Sequence, residues 1–393
     1  MNAQPALRCL FLGLALWTAS AQATTWQVLV LGGSDDPRLE RKRLEQGYPG
    51  HPGGAVEAAV RVAAAEAQST LATSGHQIKL SFASVPVADA QAAQREIAKA
   101  APDFVLLDLP AATQKALMKE HAKLKHRPVV FNVSEPADEL RGAACHPHWL
   151  HTLPSDRMHS DALAQWLASR SWRDIIWLVG TRAQDQALTE VWQASFKRFG
   201  LKVRAQRSFV LSGDPRQRNA GNPKLLTAEP SHDAVVVLDT DGEFARTVPY
   251  NTAQARPVAG HAGLVPLAWH PRFDRFGAPQ LNRRFIKQAA RPMTGHDWAA
   301  WVAVKAITAA LEEKPKASLP QHLQALRSGA VGVDGFKGVT LSFRPWDGQL
   351  RQPVFLAHGD GVAAAAPVDG AMHPKDVLDT LGADEGDSAC KAR

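Results

Sequence analysis

The chain has 393 residues, 45 Lys and Arg against 38 Asp and Glu for a formal net charge of +7, and 45% apolar residues. That length exceeds what one hydrophobic core usually holds, so two lobes are expected. The positive residues are spread along the chain, with only Arg38–Arg43 (RLERKR) dense, which argues for a solvated charged surface and no nucleic-acid partner.

The chain opens MNAQPALRCLFLGLALWTASAQATTW. Arg8 precedes an apolar run, Cys9 to Trp17, and Ala21-Gln22-Ala23 follows, the pattern of a secretory signal (residues 1–23) cleaved after Ala23. The run is too short to span a bilayer, so an exported, periplasmic, soluble mature chain is expected. Cleavage removes Cys9 and leaves Cys145 and Cys390, which in an oxidising compartment are expected to pair and tie the tail to the first half; two free thiols are the alternative.

Next comes WQVLVLGG (Trp26–Gly33), an apolar, β-branched run that predicts a buried parallel strand. The charged, Pro- and Gly-rich segment Ser34–Gly54 reads as a surface excursion. Ala55–Ala72 is helical, QIKLSFASV a strand, Val87–Ala101 a helix, DFVLLDLP a strand, ATQKALMKEHAKLK a helix and PVVFNVS a strand. Such alternation predicts an α/β fold with a doubly wound parallel sheet. The pattern then restarts with a helix over Ser160–Arg170, the strand DIIWLVG, a helix closed by Gly200, and the strands LKVRAQRSFV and AVVVL. One strong helix, Gly295–Glu313, precedes a β-rich section in which WDGQL predicts a hairpin turn. From Pro367 the composition predicts an extended tail.

Catalytic motifs are sparse: no G-x-S-x-G, H-E-x-x-H, Walker loop or paired C-x-x-C is present. His146, His148 and His151 raise a metal hypothesis, but Pro147 interrupts any helix, and hydrogen-bonded or exposed histidines are the favoured reading. AVVVLDTDGEF resembles the start of a haloacid-dehalogenase-type phosphatase, with Asp239 as nucleophile and Asp241 as proton carrier. Glu243 stands where Thr or Val is usual, and no later strand ends in an acidic pair for magnesium. A ligand cleft at the carboxyl end of the strand is the better reading.

Several stretches are more specific: LHTLPSDRMHSDALAQWL, SGDPRQRNAGN, DGEFARTVPYNT, GLVPLAWHPRFDRFGAPQLNRRF, RPMTGHDWAAW, DGFKGVTLSFRPWDGQLRQPV and HPKDVLDTLG. Together they resemble the ABC-transporter substrate-binding proteins associated with pyrroloquinoline-quinone-dependent alcohol oxidation. These are type I, leucine-binding-like periplasmic binding proteins. The resemblance implies two Rossmann-like lobes with doubly wound parallel sheets joined by three crossing segments. It also implies a monomeric, non-enzymatic protein, needing no cofactor, that delivers a small molecule or ion to an ABC permease. A ligand-sensing subunit for a membrane receptor is the alternative. Lobe 1 is expected over residues 24–152 plus roughly 285–335, lobe 2 over 153–284 plus roughly 336–366, and a tail over 367–393. Crossings are expected near His151–Asp156, Gln280–Arg291 and Asp334–Gly338.

The resemblance also implies cleft loops. They carry Asp108 and Thr113; Asn132, Ser134 and Glu135; Gln184; Asp239 and Asp241; and His261, which stands where the family places an acid for the ligand ammonium. The serine-rich loop and second-lobe aromatics of branched-chain amino acid binders are missing, which argues against that ligand. Asp108, Glu135, Asp239 and Asp241 facing one cleft would repel each other unless a cation lies between them. A hard metal ion or an amine-bearing molecule is therefore expected, the alternative being neutralisation by Arg182 or Arg246.

Overall fold

The computed structural model describes residues 23–391; apart from Ala23, the expected export signal lies outside them. The first sheet contains β1 (Thr24–Gly33), β2 (His76–Val85), β3 (Phe104–Asp108), β4 (Val129–Asn132) and β5 (Trp149–His151), all parallel in the order β2-β1-β3-β4-β5. Every residue of β3 and β4 is buried, as expected of unbroken apolar runs covered on both faces. Its helices are α1 (Arg41–Gln46), α2 (Glu57–Thr73), α3 (Ala90–Ala100) and α4 (Ala111–Glu120). α2 buries Ala59, Val60, Ala63, Ala67 and Leu71, one face at helical spacing.

After β5 the chain passes into α5 (Asp156–Ser169), capped by the Ser155 side chain at 3.2 Å from Met158 N. The second lobe contains β6 (Asp174–Gly180), α6 (Ala183–Arg198), β7 (Lys202–Phe209), α7 (Pro223–Leu226), β8 (Ala234–Leu238), β9 (Val258–Gly260) and β10 (Leu264–Leu267). The chain then returns to lobe 1 for α8 (Ala278–Ala289), α9 (Gly295–Glu313), α10 (Leu319–Arg327), β11 (Val333–Asp334), β12 (Thr340–Phe343) and β13 (Leu350–Arg351). Finally, β14 (Val354–His358) and β15 (Gly361–Ala366) add antiparallel strands to the second sheet, ordered β15-β14-β10-β9-β8-β6-β7.

Three crossings exist, and two fall away from where the sequence puts them. The second lies at residues 268–277, ahead of Gln280–Arg291, because Leu281 and Phe285 of α8 already sit in the core with α2. The third lies at Gln352–Pro353, beyond Asp334–Gly338, because Leu341, Phe343 and Leu350 belong to that same core. Crossings one and three are laced together: Gln352 Nε2 donates to Thr152 O at 2.7 Å and Gln349 Nε2 to Leu153 O at 3.1 Å.

The hairpin forms as the sequence predicts, with Phe343 opposite Leu350; Gly348 has φ +71°, and a Cβ there would meet Trp149 O at 2.6 Å. The tail, in contrast, is tightly packed. Asp379 is buried against Arg344 and Arg351 at 2.8 Å each, Gly382 N donates to Asp161 at 2.8 Å, and Cys390 is disulfide-bonded to Cys145. Buried Leu378 and Leu381 supply the apolar anchors that overrule its loop-like composition.

Candidate functional site

In each sheet the loops after the parallel strands stand at the carboxyl ends, the place where open α/β sheets take ligands, and Arg43 and Tyr48 of lobe 1 meet Asp241 and Gly242, after β8 of lobe 2, across the cleft. On lobe 1, Asp108 ends β3 and accepts from Arg38 Nη2 at 2.6 Å, while the same guanidinium grips Asp36 at 2.6 Å. Glu135 follows β4; its Oε2 accepts from Ala111 N at 3.0 Å, at the first turn of α4, whose N-cap is Pro110 and has no capping side chain. Asn132 is a buried organiser: Oδ1 accepts from Gln114 Nε2 at 2.9 Å and Nδ2 donates to Glu135 O at 2.8 Å. The Thr113 hydroxyl donates to Val87 O. Ser134, only 1% exposed, keeps a hydroxyl with no partner.

On lobe 2, Asp239 Oδ2 accepts from Ala245 N at 2.8 Å and Asp239 N donates to His261 Nδ1 at 2.7 Å. Burial pushes the Asp239 carboxyl up, with Asp185 adding to the push. Asp241 lies between Arg182 Nη1 at 2.5 Å and Arg43 Nη2 at 3.0 Å; partial burial opposes ionisation, but the two guanidiniums hold it below the usual carboxylate range. Gln184 is exposed. Its neighbour Asp185 turns inward instead, accepting from Thr240 N at 2.7 Å and Thr240 Oγ1 at 2.6 Å while Oδ2 stays unpartnered.

The four carboxylates expected to hold a cation thus do not converge. Asp108 and Asp241 are ion-paired, and Glu135 and Asp239 bond backbone amides. Among the described residues no three His, Cys, Asp or Glu side chains gather as a metal ion needs. His121, His146 and His148 do pack together behind lobe 1, with ring centroids 4.5–5.8 Å apart, but His121 and His148 each contact Pro128 O. His151 lies apart, contacting Asn132 Nδ2 at 3.0 Å.

The Ser34–Gly54 segment is largely a surface excursion, as expected, but it also reaches across the cleft. Arg43 reaches Asp241, and Tyr48, 8% exposed, lies against Gly242, where φ is +81° and a Cβ would sit 2.8 Å from the Tyr48 ring. The Arg246 guanidinium stands 5.8 Å from that ring, and the Tyr48 hydroxyl has no partner. The only hint in the sequence is an aromatic residue within a Gly-Pro run (GYPGHPGG).

Four imidazoles oppose one another's protonation: His159 of α5 with His261 and His296, and His51 of the crossing segment with the latter two. Burial, reinforced by these neighbours, drives His261 down to about 4 and His159 and His296 to about 3, so all three are neutral. The His296 Nδ1 is unpartnered. Asp156, in the first turn of α5, is pushed up to about 8 by burial and by the charges of Asp138 and Glu135, against the pull of Arg141. Asp156, His159 and His296 were not among the residues expected from sequence, though the D-x-x-H spacing of Asp156 and His159 puts both on one face of a helix start.

No family model matches the sequence, and no curated protein does. Solved structures do. A leucine-, isoleucine-, valine-, threonine- and alanine-binding protein from Brucella ovis, in a closed conformation, superposes with a TM-score of 0.67 at 13% identity over 86% of this chain and 90% of that one. A periplasmic binding protein from Burkholderia mallei gives 0.65 at 14% identity over 94% and 99%. An ABC-transporter solute-binding protein from R. palustris, in complex with benzoate, gives 0.63 at 11% identity over 94% and 99%. At such identities the likeness is one of fold: two lobes, parallel sheets and three crossings arranged as in type I, leucine-binding-like periplasmic binding proteins.

Proposed function

We propose that this chain, built on the type I periplasmic-binding-protein fold, is an exported solute-binding protein that captures a small ligand between its lobes and passes it to an ABC permease. One observation carries the reading. Unpartnered polar groups are carried by both lobes and by the segment that crosses the cleft (Ser134, Tyr48, His296 and Asp185), and of the three crossings that join the lobes the first and third are laced together. Such a construction lets lobes close on a ligand with little change inside either. The structural neighbours described as binding amino acids or benzoate are consistent with a small organic ligand.

Phosphotransfer through Asp239 is disfavoured, since that carboxylate bonds a backbone amide and, among the described residues, no metal-ligating group of three gathers near it. Export rests on the N-terminal pattern, and the association with pyrroloquinoline-quinone-dependent alcohol oxidation rests on the sequence motifs. The test is a spin-label distance measurement between the lobes, with and without fractionated small-molecule extracts. At least one fraction should narrow the distance distribution, and invariance to every fraction would refute the reading.

A further inference from the structure

We infer that the disulfide-closed C-terminal tail is a further connection between the lobes, beyond the three crossings: a strap that limits how far they open. The inference goes beyond the solute-binding reading and does not depend on what the cleft holds. Each crossing leaves one lobe and enters the other, whereas the tail leaves lobe 2 after β15 and then grips both lobes at once. On lobe 2, Gln165 of α5 accepts from Val368 N at 2.8 Å, Asp161 of α5 accepts from Gly382 N at 2.8 Å, and Arg198 at the end of α6 donates to Gly382 O at 2.9 Å. Leu381 is fully buried in the lobe 2 core with Met158, Leu163 and Ala366.

The same stretch is also held by lobe 1. Arg344, in the β12–β13 hairpin, is 1% exposed and donates to Asp379 Oδ1 at 2.8 Å, Leu378 O at 3.1 Å and Leu381 O at 2.6 Å. Arg351 donates to Asp379 at 2.8 Å, and Trp346 Nε1 donates to Ala383 O at 3.2 Å. Cys390, bonded to Cys145, then fixes the end of the tail to lobe 1 covalently.

The buried contacts and the covalent bond have separate roles. An opening that drew the hairpin away from α5 would strip Asp379 from two guanidiniums or pull Leu381 from its core, leaving buried charge or apolar surface unmatched. The disulfide keeps that clamp from being lost. The chain from Gly382 to Cys390 spans at most about 29 Å when fully extended, so the tail stays tethered at both ends and the clamp re-forms readily. Without the bond the tail is joined covalently to lobe 2 alone, and its far end is free to leave lobe 1.

Single-molecule energy transfer between maleimide dyes at Lys79→Cys on β2 and Arg204→Cys on β7, both exposed edge-strand positions, reads the separation of the lobes without ligand. Dithiothreitol splits Cys145–Cys390 to two thiols, becoming its own cyclic disulfide, while the thioether-linked dyes stay attached. Cys145 lines an open groove beside α3 and α4, within reach of the reagent. Reduction should lengthen the mean separation and broaden its distribution, and Cys145→Ser/Cys390→Ser should match the reduced chain without reductant. Asp379→Asn should stay near the wild-type separation while oxidised and widen on reduction, because the bond is then the remaining restraint. A bridge that acts only on the unfolded chain would change melting and leave the native separation alone. Lengthening on reduction in either the wild type or Asp379→Asn supports the strap; separations unchanged by reduction in both overturn it. The solute-binding reading survives that failure, since it turns on closure around a ligand.

Discussion

Replacing Asp156 by Asn should stabilise the unliganded protein, and by an amount that depends on pH. In the folded chain burial, Asp138 and Glu135 raise the Asp156 carboxyl from 3.8 to about 8. Below pH 4 both states are protonated and the residue has no effect on stability. As pH rises from 4 to 8 the unfolded chain ionises while the native one does not, so stability falls by about 1.4 kcal/mol per pH unit. Carried to pH 8, the full shift corresponds to about 5 kcal/mol. The burden is shared with Asp138, whose carboxyl is also raised by burial, which leaves about 2–4 kcal/mol for Asp156 itself. Asn carries no proton to lose, so the variant should match the wild type at pH 4 and melt several degrees higher at pH 8. Denaturant and thermal melts at three pH values read this directly. A variant less stable than wild type at pH 8, or parallel to it at every pH, would refute the placement of Asp156 as an unpaired carboxyl.

The remaining predictions concern the cross-cleft segment, the tail and the disulfide. Tyr48→Ala removes the ring that rests on Gly242 and should widen the inter-lobe distance distribution in the absence of ligand; an unchanged distribution would show that the segment does not hold the lobes together. Gly242→Ala meets both a φ of +81° and a 2.8 Å contact with Tyr48, and should cost about 1–3 kcal/mol in denaturant melts. Asp379→Ala leaves the buried Arg344 guanidinium with only the longer 3.7 Å pair to Asp347 and should destabilise by about 3–5 kcal/mol, against less than about 1 kcal/mol for removing the exposed Arg41–Glu45 pair. Cys145→Ser opens a loop with a sequence separation of 245 residues and should lower stability by up to about 4–5 kcal/mol on chain-entropy grounds, read as a difference in melting that reductant abolishes.

Much of the architecture was legible in the residues because its cause is local. Strands such as FVLLD and AVVVL are apolar at every position since both faces are covered, and the helices between them carry a single buried face. That alternation, with Gly and Pro as punctuation, determined the α/β class and the ends of β3, β4 and β8 as cleft loops. The pairing of two cysteines needed only their number and compartment. The crossings were harder, because whether Leu281 or Phe343 belongs to one lobe or the other depends on which core receives it, and apolar spacing is the same in both cases.

The charges of the site were visible and their partners were not. Sequence placed Asp108, Glu135, Asp239 and Asp241 at the cleft, and a cation was the simplest way to reconcile them. Only the folded chain brings Arg43 to Asp241 across 198 residues, Arg38 to Asp108 across 70, and Glu135 to the bare end of α4. Among the described residues the Asp156 carboxyl is left with no hydrogen bond or ion pair, and its surroundings combine Asp138 and Glu135 of one lobe with a helix of the other. A residue type determines that a group can carry charge, whereas burial and the distance to its neighbours decide whether it does; those are properties of the tertiary structure.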